Sequence, residues 1–296
     1  MTAFAGALLA ALFLSNTAWS QENQVRFVTS GSVNWLQKEM NAQVSFDLAQ
    51  AGIKLPAGRL MGEETLSEAY PRLLRPHILS IKLDSGSLVR NLVDNGEISL
   101  EDIDRISLEA VEATSLSADL SQMIGRYTIS VGRISSLLIK HRGALEPPRP
   151  LIPVQTADYT GIIIIATEEL PVRGRRAQAL AEPCLFPKIW DTGMNLIYER
   201  NMFESRDNPM IRYALEENIF RPTPSGLDGE LALLAGTNPL RILAREVYGI
   251  YPTDLVIDQS DALKILSSEN NRRLLREGRV ILVLNNAKLQ RSILTP

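Results

Sequence analysis

Residues 254–284 read DLVIDQSDALKILSSENNRRLLREGRVILVL, and the order of patterns in them sets the fold class. Asp254-Leu255-Val256-Ile257 is a short apolar, β-branched run of the kind strands use. Asp258 to Ser260 supplies polar residues that cap a helix, and 261–275 has helical spacing, as one helix or two helical turns. Gly278 stops it, and Val280-Ile281-Leu282-Val283-Leu284 follows as the final strand. Strand, helix and strand at this short spacing make a βαβ-like or split unit, so helices pack on a sheet in this half of the chain.

Upstream, Gly161-Ile162-Ile163-Ile164-Ile165-Ala166 is a continuous β-branched run, expected as a central strand covered on both faces. Residues 185–190 and 195–198, on either side of Gly193, read as a hairpin, and 231–234 and 240–247 are further apolar segments. Before all of these, Glu146-Pro147-Pro148-Arg149-Pro150-Leu151-Ile152-Pro153 places four prolines within seven residues. That composition removes backbone donors and holds the chain extended, as a stiff connector between two modules.

In the first half, 25–28 and 43–48 read as strands, the second with clear period-two alternation. Residues 63–74 carry a helical stripe, but Pro71 inside it and Pro76 after it predict a kinked or broken helix. A strand over 78–83 and a short helix over 88–93, closed by Asn95-Gly96, follow. Residues 100–113 fit a helix or a strand equally well by spacing, and 127–131 is a strand entered from a turn at Gly125.

The full chain has 296 residues, 45% hydrophobic and 22% charged, with 31 basic residues against 34 acidic ones and a net charge of −3. This is a globular composition without the basic field of a nucleic-acid binder. One cysteine, Cys184, and two histidines, His77 and His141, exclude a disulfide framework and a multi-cysteine metal site, and leave little for histidine chemistry. Cys184 reads as a small buried thiol, His77 as a boundary side chain with ordinary hydrogen bonds, and His141 as part of a basic turn with Lys140 and Arg142. Asp254, Asp258 and Asp261 straddle a strand end and a helix start, where carboxylates cap rather than bind cations. Glu63/Glu64 and Glu168/Glu169 are adjacent pairs, poor candidates for a two-carboxylate hydrolase. Arg173, Arg175 and Arg176 form the densest basic cluster, a solvated loop that could also receive an anion. No catalytic, cofactor-binding or metal-ligating residue is assigned from the sequence.

At the N-terminus, residues 3–14 form an apolar run too short to span a bilayer, and Ala18-Trp19-Ser20 before Gln21 has the small residues that a signal peptidase reads. Residues 1–20 are therefore expected to be a signal peptide. No cysteine stands near the cleavage point to carry a lipid, so the expected product is a periplasmic protein without that anchor.

Two blocks also resemble a known group. One runs from Tyr70-Pro71-Arg72-Leu73-Leu74 through Ile81-Lys82-Leu83-Asp84-Ser85 and Val89-Arg90-Asn91 to Gly125-Arg126-Tyr127-Thr128-Ile129-Ser130-Val131. The other joins Tyr159-Thr160-Gly161-Ile162-Ile163-Ile164, Leu185-Phe186-Pro187-Lys188-Ile189, Asn238-Pro239-Leu240, Thr253-Asp254-Leu255-Val256-Ile257, Asp261-Ala262 and Arg279-Val280-Ile281-Leu282-Val283-Leu284. These blocks resemble exported bacterial proteins related to the flagellar P lipoprotein and to flagellar assembly protein T. The resemblance implies an envelope location, small α+β modules, a strand over 108–120, and assembly with other proteins or with further copies. Residues 202–229 have no counterpart in it.

The expectation is an α+β fold: two small modules of helices packed on short mixed sheets, joined by a Pro-rich connector. Residues 21–145 make the N-terminal module, 146–153 the linker and 154–296 the C-terminal module. The expected function is a non-enzymatic envelope scaffold or accessory component of the flagellar apparatus, needing no cofactor. Its partners would be envelope or flagellar basal-body proteins or a homo-oligomer, without nucleic acid and without a transmembrane segment in the mature chain. The alternative is a periplasmic ligand-binding module, using a cleft between the modules, or a hydrolase acting on an anionic envelope substrate.

Overall fold

The computed structural model describes residues 25–139, 143–204, 210–220, 229–290 and 292–294. The expected signal peptide and His141 with its basic neighbours lie outside the described residues, as do parts of 202–229.

The first module comprises β1 (Phe27–Asn34), β2 (Glu39–Asp47), α1 (Arg59–Leu79), α2 (Val89–Asp94), α3 (Leu100–Ser107), β3 (Val111–Leu116), β4 (Gln122–Ser130) and α4 (Val131–Leu138). The second opens with β5 (Ile162–Ala166), β6 (Leu170–Pro171), β7 (Gln178–Ala179), β8 (Ile189–Asp191), β9 (Leu196–Tyr198) and β10 (Arg212–Ala214). There follow α5 (Glu216–Phe220), α6 (Gly229–Ala235), β11 (Leu240–Leu243), β12 (Glu246–Tyr248), β13 (Asp254–Ile257), α7 (Gln259–Leu266) and α8 (Glu269–Arg276). The chain finishes with β14 (Val280–Leu284), α9 (Asn286–Leu289) and β15 (Ser292–Leu294). The fold is α+β in two modules, as the sequence implies.

In the first module five antiparallel strands run in the order β15-β1-β2-β4-β3. Period-two alternation sends Met40, Ala42, Val44 and Phe46 of β2, and Met123, Tyr127 and Ile129 of β4, into the core. Helix α1 lays Leu66, Tyr70, Leu74 and Ile78 on this sheet, with the Tyr70 and Tyr127 rings stacked at 4.4 Å. It is one continuous helix of 21 residues, not the broken one that its prolines predict. Pro71 is half-buried and Pro76 exposed, and each frees the carbonyl four residues back. Those carbonyls belong to Ser67 and Arg72, both exposed, so the freed groups fall on the solvent side of the helix and the buried face is untouched.

Other boundaries also differ from expectation. Ile78 and Leu79 end α1, and the supposed strand over 78–83 is reduced to a single bridge between Lys82 and Leu88. The ambiguous stretch divides: Ser99 caps α3 through the Asp102 amide, and the chain then turns into β3. The strand implied over 108–120 spans 111–116. Helix α4 was not anticipated.

The second module holds a parallel sheet, β10-β14-β5-β11, and a mixed one, β12-β13-β8-β9. The Ile-rich β5 is central, with β14 and β11 alongside it, and Ile162, Ile163 and Ile164 are buried. At Ala244 and Arg245 the chain changes sheet, because the first amide bonds Ile165 and the next bonds Val256. It crosses back through α7 and α8, so β13 and β14 lie in different sheets. The strand-helix-strand at the C-terminus is thus not a crossover within one sheet, and its helical middle is two helices, with Ser268 capping the second. The 185–190 strand starts only at Ile189, since Pro187 cannot donate to a ladder; it does form the expected hairpin with β9.

β14 is not the last strand. After α9 the chain returns to the first module, where Ser292, Ile293 and Leu294 pair with Val33, Ser32 and Gly31. Residues 292–294, which the sequence places in the second module, therefore complete the first module's sheet. No helix among the described residues is long and apolar enough to cross a membrane.

Candidate functional site

Two regions collect polar side chains around a concavity: the seam between the modules and the carboxyl-terminal edge of the parallel sheet.

The seam is built on the segment that follows α1. Leu185 and Phe186 donate their amides to the Lys82 and Leu83 carbonyls at 3.0 and 2.8 Å, and Tyr251 donates to Ser85 at 3.0 Å. From the other side Trp35 donates to Leu289 at 3.0 Å. Asp254, fully buried, is the polar centre. Its carboxylate accepts from the Ser85 hydroxyl at 2.8 Å, the Trp190 indole at 3.0 Å and the Lys188 amide at 3.0 Å, so one residue of the first module and two of the second share it. Burial raises its pKa and these donors oppose the shift. Around it, Glu182 receives Lys82 of the first module and Lys288 of α9. Burial alone would raise the Glu182 pKa, but the two ammonium groups hold it below the usual carboxylate range. Glu230 likewise receives both Lys38, at the β1–β2 turn, and Arg212. A cavity of about 310 Å³ remains between that turn, β10 and the start of α6. One hydrophobic cluster runs through both modules.

The residues singled out from the sequence are mostly consumed in such contacts. Cys184 is buried, burial pushes its thiol pKa up, and its backbone amide and carbonyl are bridged by the Tyr213 hydroxyl at 3.0 and 2.9 Å. His77 differs from expectation: it lies within α1, 1% exposed, and neither ring nitrogen makes a hydrogen bond of good geometry. Gly31 of β1 makes room for it, since a Cβ there would come within 2.7 Å of the ring. Asp254, Asp258 and Asp261 do not converge. Asp258 occupies the N-cap position of α7, yet its carboxylate pairs with Arg245 instead of capping, and Asp261 pairs with Lys264. Arg173 bonds Glu246 and the Thr192 carbonyl, while Arg175 and Arg176 are exposed. Glu63 lies on α1, paired with Arg59.

Glu168 is the exception. It lines a cavity of about 490 Å³ with Thr167, Leu215, Glu216, Glu217, Leu284, Asn285 and Asn286. These residues directly follow or end β5, β10 and β14, so the cavity sits at the carboxyl ends of three adjacent parallel strands, where such sheets commonly bind ligands. The Asn285 side chain donates to the Thr167 carbonyl at 3.0 Å and accepts from the Ala287 amide at 3.0 Å, which ties the ends of β14 and β5 together. Sequence reasoning discarded Glu168 as one of an adjacent pair. The signal that could have found it is its place just past an all-apolar strand, combined with Asn285-Asn286 just past another.

Residues 27–137 match the family described as Treponema pallidum Tp0624, N-terminal domain, and residues 161–286 match the family described as Treponema pallidum Tp0624, second domain. The two spans are similar to those domains in the same order, and the Pro-rich stretch lies between them. Neither description carries an activity or a flagellar assignment. No curated protein matches the chain.

Proposed function

We propose that this paired-module chain is a non-enzymatic protein of the cell envelope, exported through residues 1–20 and acting as a scaffold or accessory component of the flagellar apparatus. The observation that carries the reading is the seam. Asp254, Glu182 and Glu230 each bind groups from both modules, and main-chain hydrogen bonds and a continuous apolar core join them. Such a seam makes one stiff body, suited to holding partners at a fixed separation rather than to closing on a substrate. The side chains best able to do acid, base or nucleophilic chemistry, Asp254, His77 and Cys184, are buried within that body.

Association would use the free edge of the first module's sheet. Among the described residues β3 pairs on one side only, with Val111 73% exposed and Leu108 and Leu120 exposed nearby. Strand addition there would satisfy its unpaired backbone groups. Deletion of the gene should impair motility and leave basal bodies incomplete in images of the envelope. Intact basal bodies with normal swimming would reject the flagellar assignment. Cross-linking in the native envelope should yield products that Val111→Lys diminishes, and a product pattern unchanged by that substitution would reject strand addition at this edge.

A further inference from the structure

His77 is a buried titratable group that the scaffold reading leaves unused. Its ring is 1% exposed, and among the described residues neither nitrogen makes a hydrogen bond of good geometry, whereas buried polar atoms are ordinarily paired. Three elements enclose it. Helix α1 carries it, and Gly31 of β1 lies so near that a Cβ there would come within 2.7 Å of the ring. β15 places Leu294 opposite Gly31, and the Leu294 main chain is the group that opposes the effect of burial on the ring. No acid stands ready to receive a protonated ring. β1 and β15 contain no ionisable residue. In β2 the neighbouring Met40, Ala42 and Val44 are apolar, and Glu39 and Asp47 stand at the strand's two ends. The residues three and four positions from His77 are Leu73, Leu74, Ser80 and Ile81, and Arg75, close by in sequence, is paired with Asp104 of α3. An imidazolium here would be a buried charge without a counter-ion.

The enclosing elements are not held equally. Helix α1 is fixed by Leu66, Tyr70, Leu74 and Ile78, and β1 pairs with β2 over eight residues. β15 pairs with β1 over three residues and, among the described residues, with nothing on its other side; Leu294 is buried but Ile293 is 73% exposed. The preceding α9 is anchored on its own account by buried Leu289, by the bond from the Trp35 amide to the Leu289 carbonyl, and by Lys288 on Glu182. The most weakly held cover of the ring can therefore leave while α9 stays. We propose that His77 is an acid-operated latch on the C-terminal strand: protonation of its ring releases residues 292–294 from β1, because detachment brings water to the charge without unfolding the module. The neutral ring keeps β15 in place. Release leaves Gly31, Ser32 and Val33 with an open edge that can accept a strand from another chain, at the opposite margin of the sheet from β3. The sign follows from burial. The enclosed ring is held below its ordinary 6.5, so detachment takes up a proton and becomes easier as the pH falls below that value.

The test is amide hydrogen exchange of the purified mature chain, read by NMR at a series of pH values on either side of 6.5 and corrected for the exchange rate of an unstructured peptide at each pH. Protection of the amides bonded between β1 and β15 should fall about tenfold per pH unit below 6.5, until the lower value of the enclosed ring is passed. Because release is local, those amides should exchange at least about tenfold faster than the amides bonded between β2 and β4 at every pH. His77→Leu and His77→Gln, neither of which titrates, should remove the pH dependence of the β1–β15 set. The proposal is overturned by protection of that set that does not change with pH, by an undiminished pH slope in either folded variant, or by equal exchange of the β1–β15 and β2–β4 amides, which would make the opening that of the whole module. The two sets of amides in the parent give the answer should both substitutions disturb folding.

Discussion

An imidazole held between α1 and the β1–β15 edge is charged only at a cost. Burial moves His77 below its ordinary value of 6.5, and the Leu294 backbone only partly opposes this. The stability tied to neutral His77 is therefore present above the unfolded-state pKa and lost as pH falls through the lower folded-state value. The melting temperature should fall as the pH is lowered below the ordinary imidazole value of 6.5, and His77→Leu should flatten that slope; a slope that survives the substitution would place the sensitivity elsewhere. Asp254 is sensitive in another way. Asp254→Ala strands the Ser85 hydroxyl, the Trp190 indole and the Lys188 amide, and should cost about 3 kcal/mol or more in urea unfolding. Asp254→Asn, which keeps one carbonyl oxygen, should cost roughly half as much. Neither residue's environment is legible locally. The sequence marks Asp254 as the first residue of a strand, and its partners come from 66 and 169 positions away.

Where the chain enters β5, the end of α6 comes close enough to leave no room for a side chain at Gly161. A Cβ at Gly161 would lie 2.5 Å from the Leu234 carbonyl oxygen and 2.8 Å from the Ala235 Cα, both main-chain atoms that cannot rotate aside. Gly161→Ala should therefore push α6 from the sheet and cost about 2 kcal/mol, read as a lowered denaturant midpoint with an unchanged slope. Legibility at this scale followed the strength of the local pattern. β5, β14 and α2 could be read because an all-isoleucine run, an all-apolar run and an Asn-Gly stop each admit one interpretation. Ile78, Ile81 and Leu83 misled because all three are buried although none lies in a strand, Ile78 ending α1 and the other two following it, so burial imitated a strand. Sheet membership was not legible at all. Nothing within 254–284 indicates that β13 pairs with β8 while β14 pairs with β5, since the partners of both strands lie elsewhere in the chain. The edge cavity was missed for the same reason: its lining comes from three separated segments that only the sheet order makes neighbours.

At the scale of the whole molecule, a shared core and a polar seam predict one cooperative unfolding transition. Calorimetric and van't Hoff enthalpies should agree, and two resolved transitions would contradict the seam as described. Removing residues 285–296 takes away buried Leu289 and Leu294, the Lys288 contact to Glu182 and the pairing to β1. Two buried leucines alone account for about 4 kcal/mol, so this truncation should lower the transition of the entire chain and not only of its second module.

The return of β15 to β1 also imposes an order of events. Gly31, Ser32 and Val33 are made early but wait for partners some 260 positions later in the sequence, at Ser292, Ile293 and Leu294. During synthesis the first sheet has an open margin at β1 until residues 292–294 have been made and reach it. Closure of that margin therefore cannot precede synthesis of the second module, which ties the first sheet's final form to the segment that lies between them.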